Sequence, residues 1–173
     1  MNLKEGDVIQ LGNHRLLYGD CTNKDLLDKL FNGDKATVIM ADPPYGMGKE
    51  KKGVKNDNLY RDKLDEFQMQ WYKAARLHVV DNGSVYIWGN TEGLWRLWYV
   101  GGLKDLERLT FRNQIIWDKQ SGQGMLSEKH RMYPTGTEHC LFFMLGEQGF
   151  YSPYWDGWDK VRLYLVEEKN KSN

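Results

Sequence analysis

Cysteine is scarce in this chain: Cys21 and Cys140 are the only two among 173 residues. Two such thiols make no disulfide framework, and free thiols in a reducing compartment are the default reading. Metal-ligand spacing is missing too. Neither a Cys-x-x-Cys nor a His-x-x-x-His pair occurs among these cysteines and His14, His78, His130 and His139, so no metal is expected. No sign of charge prevails, since 24 Lys and Arg balance 24 Asp and Glu. The plainest mark of a nucleic-acid binder, a strongly basic chain, is therefore absent. No apolar run approaches the roughly 18 residues of a membrane span, and Met1-Asn2-Leu3-Lys4-Glu5 lacks the apolar core of a signal peptide. No membrane association and a cytoplasmic location are expected.

What is present is a globular composition. Apolar residues make up 40% and charged residues 28%, which excludes global disorder and collagen-like repeats. A chain of this size buries roughly 70% of its unfolded surface as one domain, without help from disulfides or metals. Aromatic residues reach 13%, with 7 Trp and 10 Tyr. They serve either to fill a core or to stack on bases.

Along the chain, strand signals alternate with helical ones. Asp7 to Leu11 stops at the Gly12-Asn13 turn, and His14 to Tyr18 follows up to Gly19-Asp20-Cys21, which together read as a hairpin. Thr22-Asn23-Lys24-Asp25 has the form of a capping box, after which Leu26, Leu27, Leu30 and Phe31 recur at helical spacing. Ala36 to Ala41 is nearly continuous apolar sequence, as in a strand buried on both faces of a parallel sheet. It stops at Asp42-Pro43-Pro44-Tyr45-Gly46, and two prolines cannot continue a central strand, so Asp42 is expected at its carboxyl end. Residues 46–63 are polar, glycine-rich and mildly basic, which predicts a mobile loop. Leu64, Phe67, Trp71 and Ala74 mark a helix running towards Val80 and ended by Asn82-Gly83. Ser84 to Trp88 predicts the next buried strand, closing at Gly89-Asn90, with Thr91 capping a helix that breaks near Gly101-Gly102. Thr110 to Trp117 and His139 to Leu145 predict two more strands on either side of a loop, and residues 147–173 form an aromatic-rich tail.

Such alternation implies an α/β fold with a mainly parallel sheet and flanking helices. Ligands of such sheets bind beyond the carboxyl ends of the strands. Three polar clusters are expected there: Gly19-Asp20, Asp42-Pro43-Pro44-Tyr45 and Gly89-Asn90.

Asp42-Pro43-Pro44-Tyr45, directly after an apolar strand, resembles the DPPY motif of the DNA amino-methyltransferases, which methylate adenine N6 or cytosine N4. Gly19-Asp20-Cys21, the Ile115 to Lys119 run and Glu138 to Phe143 are similar to further strand ends of that family, so the resemblance spans most of residues 5–150. It implies a partial Rossmann-like methyltransferase fold, S-adenosylmethionine as cofactor and DNA as partner. It implies a target-base pocket at Asp42, Pro43, Pro44 and Tyr45, and cofactor contacts from Asp20 and Cys21. Asp20 also suits a helix cap, and Cys21 reads chemically as a small packed residue rather than a reactive thiol. Lys49, Lys51 and Lys52 follow the motif and suit contact with DNA phosphates, as do Lys119 and, in a second basic loop, Arg131. Trp117 is expected in the core.

The chemistry of the motif can be stated from its residues. An exocyclic amino nitrogen is a poor nucleophile because its lone pair is delocalised into the ring. The Asp42 carboxylate and a main-chain carbonyl beside Pro43-Pro44 accept its two hydrogens and favour a pyramidal nitrogen, so positioning and electrostatics suffice without a strong base. The prolines leave no N–H there to donate. Tyr45 suits stacking on a base extruded from the duplex.

The resemblance has a gap. The family's glycine loop for the methionine end of S-adenosylmethionine is missing: Gly46-Met47-Gly48 follows the wrong strand, and Gly122-Gln123-Gly124 follows none. The order matches permuted members in which the DPPY half comes first. The expectation is a single, incomplete catalytic domain over residues 1–173 that works as a homodimer or with a complementary subunit carrying the glycine loop. Adenine N6 is the favoured target, with cytosine N4 open. A truncated, non-catalytic module that binds DNA or protein is the reading from another class.

Overall fold

The computed structural model describes residues 2–48, 55–120 and 136–146. The chain opens with a hairpin of β1 (Asp7–Leu11) and β2 (His14–Tyr18), antiparallel and paired from Asp7 with Tyr18 to Leu11 with His14. Helix α1 (Lys24–Phe31) follows. Its cap is Asn23, whose side chain accepts from the Asp25 and Leu26 amides, not Thr22 as the capping-box pattern predicts. Thr22 is diverted because its amide and hydroxyl both donate to Asp20 Oδ1, at 2.9 and 2.8 Å.

The main sheet has four strands in the order β3-β4-β6-β5. These are β3 (Ala36–Ala41), β4 (Val79–Gly89), β5 (Leu109–Asp118) and β6 (Thr137–Leu145). Helix α2 (Asp62–Arg76) joins β3 to β4, which run parallel, and α3 (Thr91–Tyr99) leaves β4 towards β5. β6 is wedged antiparallel between β4 and β5. Three of the four strands therefore point one way, as the alternation predicts, yet only one ladder is parallel. The sheet is mixed.

One face of the sheet forms the core. Ile39 and Ala41 of β3, Val85 and Ile87 of β4, Leu141, Phe143 and Leu145 of β6 and Phe111 of β5 meet Leu64, Phe67, Trp71 and Tyr72 of α2 and Leu94 and Leu97 of α3. The two-residue period of strands and the 3.6-residue period of helices put these side chains on facing surfaces. Asp65, buried on α2, receives Arg96 of α3 at 2.6 Å, which ties the two helices together. Below them His78 stacks on Phe31 at 4.6 Å, joining α1 to the start of β4.

The opposite face is different. Tyr86 stacks on its cross-strand neighbour Phe142 at 4.5 Å, and Trp88 meets Trp117 edge-on at 6.5 Å. Around them Val38 is 46% exposed, Met40 70% and Trp117 53%. β3 is thus buried on one face, not two, because it is the outermost strand among the described residues and nothing described covers this side. Trp117 is correspondingly on the surface rather than in the core.

β4 is longer than its apolar stretch suggests. Asn82-Gly83 lies inside it as a bulge, where the pairing with β3 slips between Val79 and Ser84. A Cβ on Gly83 would lie 2.5 Å from Val79 Cγ1 and 3.0 Å from Thr37 O, so glycine permits the strand to continue. The expected helix end is a strand distortion.

Candidate active site

The carboxyl ends of β3 and β4 lie side by side, since Ala41 pairs with Ile87. Asp42 follows β3 and Asn90 follows β4. Because β6 runs the other way it starts at this end, and Gly89 pairs with His139. β5 finishes there, with Trp117 opposite Glu138. Asp42, Tyr45, Asn90, Lys119 and Glu138 are thereby gathered along one rim.

The backbone after Asp42 is held from three sides. Gln68 Nε2 of α2 donates to the Pro44 carbonyl at 3.1 Å, while its Oε1 accepts from Trp71 Nε1 at 2.5 Å. Asn90 Nδ2 donates to the Tyr45 carbonyl at 3.3 Å, and its Oδ1 caps α3 by accepting from Gly93 N at 2.6 Å. The carboxylate of Asp57 accepts from the Tyr45 and Gly46 amides at 3.1 and 3.0 Å. The carbonyls of Pro44 and Tyr45 are thereby both engaged.

Asp42 is exposed, and its Oδ1 accepts from the Tyr45 hydroxyl at 2.5 Å. Burial pushes the Tyr45 hydroxyl well above the ordinary tyrosine range, and the bond to Asp42 and the charges of Asp42 and Glu138 add to this. Tyr45 is a neutral donor, not a base. Other acid–base candidates are engaged as well. The His139 ring nitrogens lie 2.9 Å from Gln114 Nε2 and 3.2 Å from Thr137 Oγ1. Burial pushes the Cys140 thiol up to about 11. The rim offers fixed acceptors, not a strong base or a thiolate.

Asp20 sits beyond β2, and hydrogen bonds from the Thr22 amide and hydroxyl hold its carboxyl below the usual carboxylate range. It lines an open cleft of about 380 Å³ with Thr22, Asn56, Lys63, Glu66 and Phe67. Lys55 reaches Asp20 Oδ2 at 3.7 Å, so the segment that clasps the motif through Asp57 also touches the Asp20 cluster. Two of the three expected clusters meet directly and the third is linked through this segment. Cys21 is exposed beside Asp20. Lys119 Nζ lies 3.0 Å from Glu138 Oε1 across the β5–β6 ladder. Lys49, Lys51, Lys52 and Arg131, and the tail from residue 147, lie outside the described residues.

Asp57 and Gln68 were not foreseen. Gln68 had a signal, being a polar residue within the apolar stripe of Leu64, Phe67 and Trp71. Asp57 had none, as one acid in a loop rich in lysine. The sequence points to Thr91 as the cap of α3, whereas Asn90, the residue before it, caps the helix.

Comparison with known proteins identifies a family. A family model described as DNA methylase, of the N6 and N4 amino-methyltransferases, matches residues 36–172. The chain is 28% identical over 119 residues to the type II methyltransferase M.HinfI of Haemophilus influenzae, covering 60% of this chain and 31% of that protein. It is 29% identical over 126 residues to the type II methyltransferase M.HpaI of Haemophilus parainfluenzae, covering 71% of this chain and 37% of that one. The chain thus spans about a third of the length of these curated relatives. Among solved structures, the M1.HpyAVI–SAM complex superposes with a TM-score of 0.51 at 21% identity, over 79% of this chain and 57% of that one. The α/β architecture is accordingly part of a Rossmann-like methyltransferase fold. With a family model spanning the sheet, the motif and its rim, this chain belongs to the N6/N4 DNA methylase family.

Proposed function

We propose that the chain carries the target-base side of an S-adenosylmethionine-dependent DNA methyltransferase acting on N6 of adenine. One observation carries the reading: the exposed Asp42 carboxylate stands at a strand end, while Gln68 and Asn90 occupy the carbonyls of Pro44 and Tyr45; the second acceptor is assigned to the Pro43 carbonyl. Two acceptors suit the two hydrogens of one amino group. Accepting both draws the nitrogen towards a pyramidal form and turns its lone pair outward, and the rigid prolines hold the backbone acceptor in place. Tyr45 leaves Asp42 as the base arrives and packs its ring against the extruded base.

The residues fit the nucleoside part of S-adenosylmethionine: the cleft beside Asp20 has the room and an ionised carboxylate for hydroxyl donors. When bound, the cofactor supplies an electrophilic methyl group. The SAM complex of the solved relative supports the same choice here. The charged methionine end finds no glycine loop in this chain, so a complementary segment or subunit is part of the proposal. DNA is the partner, with Lys49, Lys51, Lys52, Lys119 and Arg131 as its phosphate contacts.

The test is transfer of a labelled methyl group to DNA by the complete or reconstituted enzyme, followed by nucleoside analysis of the product. Asp42→Ala is expected to reduce transfer by at least roughly 100-fold with an unchanged circular dichroism spectrum. Retained activity would remove Asp42 from the amino-group pocket. N4-methylcytosine in place of N6-methyladenine would move the reading to the cytosine enzymes.

A further inference from the structure

We propose that Asp57 is a positioning residue that sets the direction of the Tyr45 ring; the proposal rests on the reading that Tyr45 meets the target base. Asp57 is only 2% exposed. A carboxylate taken out of water is tolerated only where donors surround it. Here two consecutive backbone amides, those of Tyr45 and Gly46, converge on Oδ1, and the Asp57 carbonyl accepts from the Gly48 amide at 2.8 Å. Successive N–H groups aimed at one point form an anion nest, and the anion that fills it is part of the chain itself.

The nest exists because Gly46 takes φ +72°, and a Cβ there would lie 2.6 Å from the Leu59 carbonyl. Glycine thus lets residues 55–59 close on the motif. Asp57 then fixes the amide of Tyr45, Asn90 fixes its carbonyl, and Gln68 fixes the carbonyl before it. With the peptide planes on both sides held, the Cα–Cβ bond of Tyr45 has one direction, which limits where the ring can swing; its resting rotamer is the one in which the hydroxyl meets Asp42. Asp57 acts through Tyr45 and not on the base.

The test compares Asp57→Ala and Asp57→Asn in the complete enzyme by site-resolved amide hydrogen exchange, cofactor binding and methyl transfer. In Asp57→Ala the Tyr45 and Gly46 amides are expected to exchange at least about tenfold faster, while the amides of β4 and β6 keep their rates. The rate constant kcat should fall roughly 10- to 100-fold, with the Kd for S-adenosylmethionine within about twofold of wild type. Asparagine keeps an acceptor oxygen, so Asp57→Asn should restore both the exchange rates and most of kcat. Unchanged exchange at Tyr45 and Gly46, or a kcat that survives the alanine, would overturn the role of Asp57 and leave the proposed function standing. The same holds if kcat, cofactor affinity and the exchange of the whole sheet deteriorate together in both variants. A wild-type enzyme that methylates no DNA is a distinct result: it overturns the proposed function and with it the positioning role.

Discussion

At the scale of single residues, the resting contact between Tyr45 and Asp42 separates two jobs that one side chain performs. The hydroxyl satisfies Asp42 in the resting structure, and in the proposed function the ring receives the base. Tyr45→Phe removes only the first job and should keep methyl transfer within a few-fold, because stacking needs a ring face. Tyr45→Ala removes both, and loss of a stacking interaction of about 1–3 kcal/mol corresponds to roughly 5- to 150-fold in kcat/KM. The sign of the tyrosine shift adds a pH statement. Since burial and Asp42 raise the Tyr45 hydroxyl, it stays protonated beyond the ordinary tyrosine value of 10.0. The pH–rate profiles of wild type and Tyr45→Phe should therefore superimpose from pH 6 to about 9. An alkaline limb present in wild type and lost in the phenylalanine variant would show that the hydroxyl titrates during turnover.

At the scale of elements, Asn90 links α3 to the motif, and its two ends can be tested apart. Asn90→Ala loses the helix cap, at a cost of about 1 kcal/mol in urea unfolding, together with the hold on the Tyr45 carbonyl. Asn90→Asp keeps an acceptor for the Gly93 amide but has no N–H to donate. It should leave stability near wild type and still lower methyl transfer. Equal activity in Asn90→Asp and wild type would show that the 3.3 Å contact to Tyr45 has no catalytic weight. Elements were largely legible in the sequence because apolar periodicity reports burial. Among the described residues the hairpin, the three α-helices and the four sheet strands follow from it, and the prolines after Asp42 put it at the end of β3. At both α1 and α3 the cap lies one residue from the threonine that the pattern singles out, since threonine and asparagine stand side by side and either can cap. The bulge at Asn82-Gly83 was hidden because the same dipeptide marks turns. Apolar content in β3 could not separate a strand covered twice from one covered once. Asp57 was illegible, since its partners are backbone amides, which leave no trace in side-chain pattern.

For the molecule as a whole, the gap in the glycine loop leads to a measurement on the 173-residue chain itself. In the proposed function the methionine amine and carboxylate of S-adenosylmethionine take their partners from a complementary segment or subunit, and each charge-assisted hydrogen bond lost without it is worth ~1.5–3 kcal/mol. Calorimetry of the purified chain should thus give binding weakened hundreds-fold or more relative to a complete enzyme. Micromolar binding by a monomer would show that the loop is dispensable. The apolar face of Val38, Met40 and Trp117 and the edge of β3, which no described strand pairs, favour association with a second copy or a complementary segment. The position of β6 also bears on how the chain folds. It is the last described strand in sequence yet lies inside the sheet, and among the described strands β5 pairs with it alone. On the ribosome, α2, α3 and the β3–β4 pair can form as they emerge, but β5 must wait for a partner synthesised after it. Synthesis interrupted before Thr137 would leave β4 and β5 each with an edge that no described strand covers, so among the described strands the sheet closes only when β6 takes its place between them.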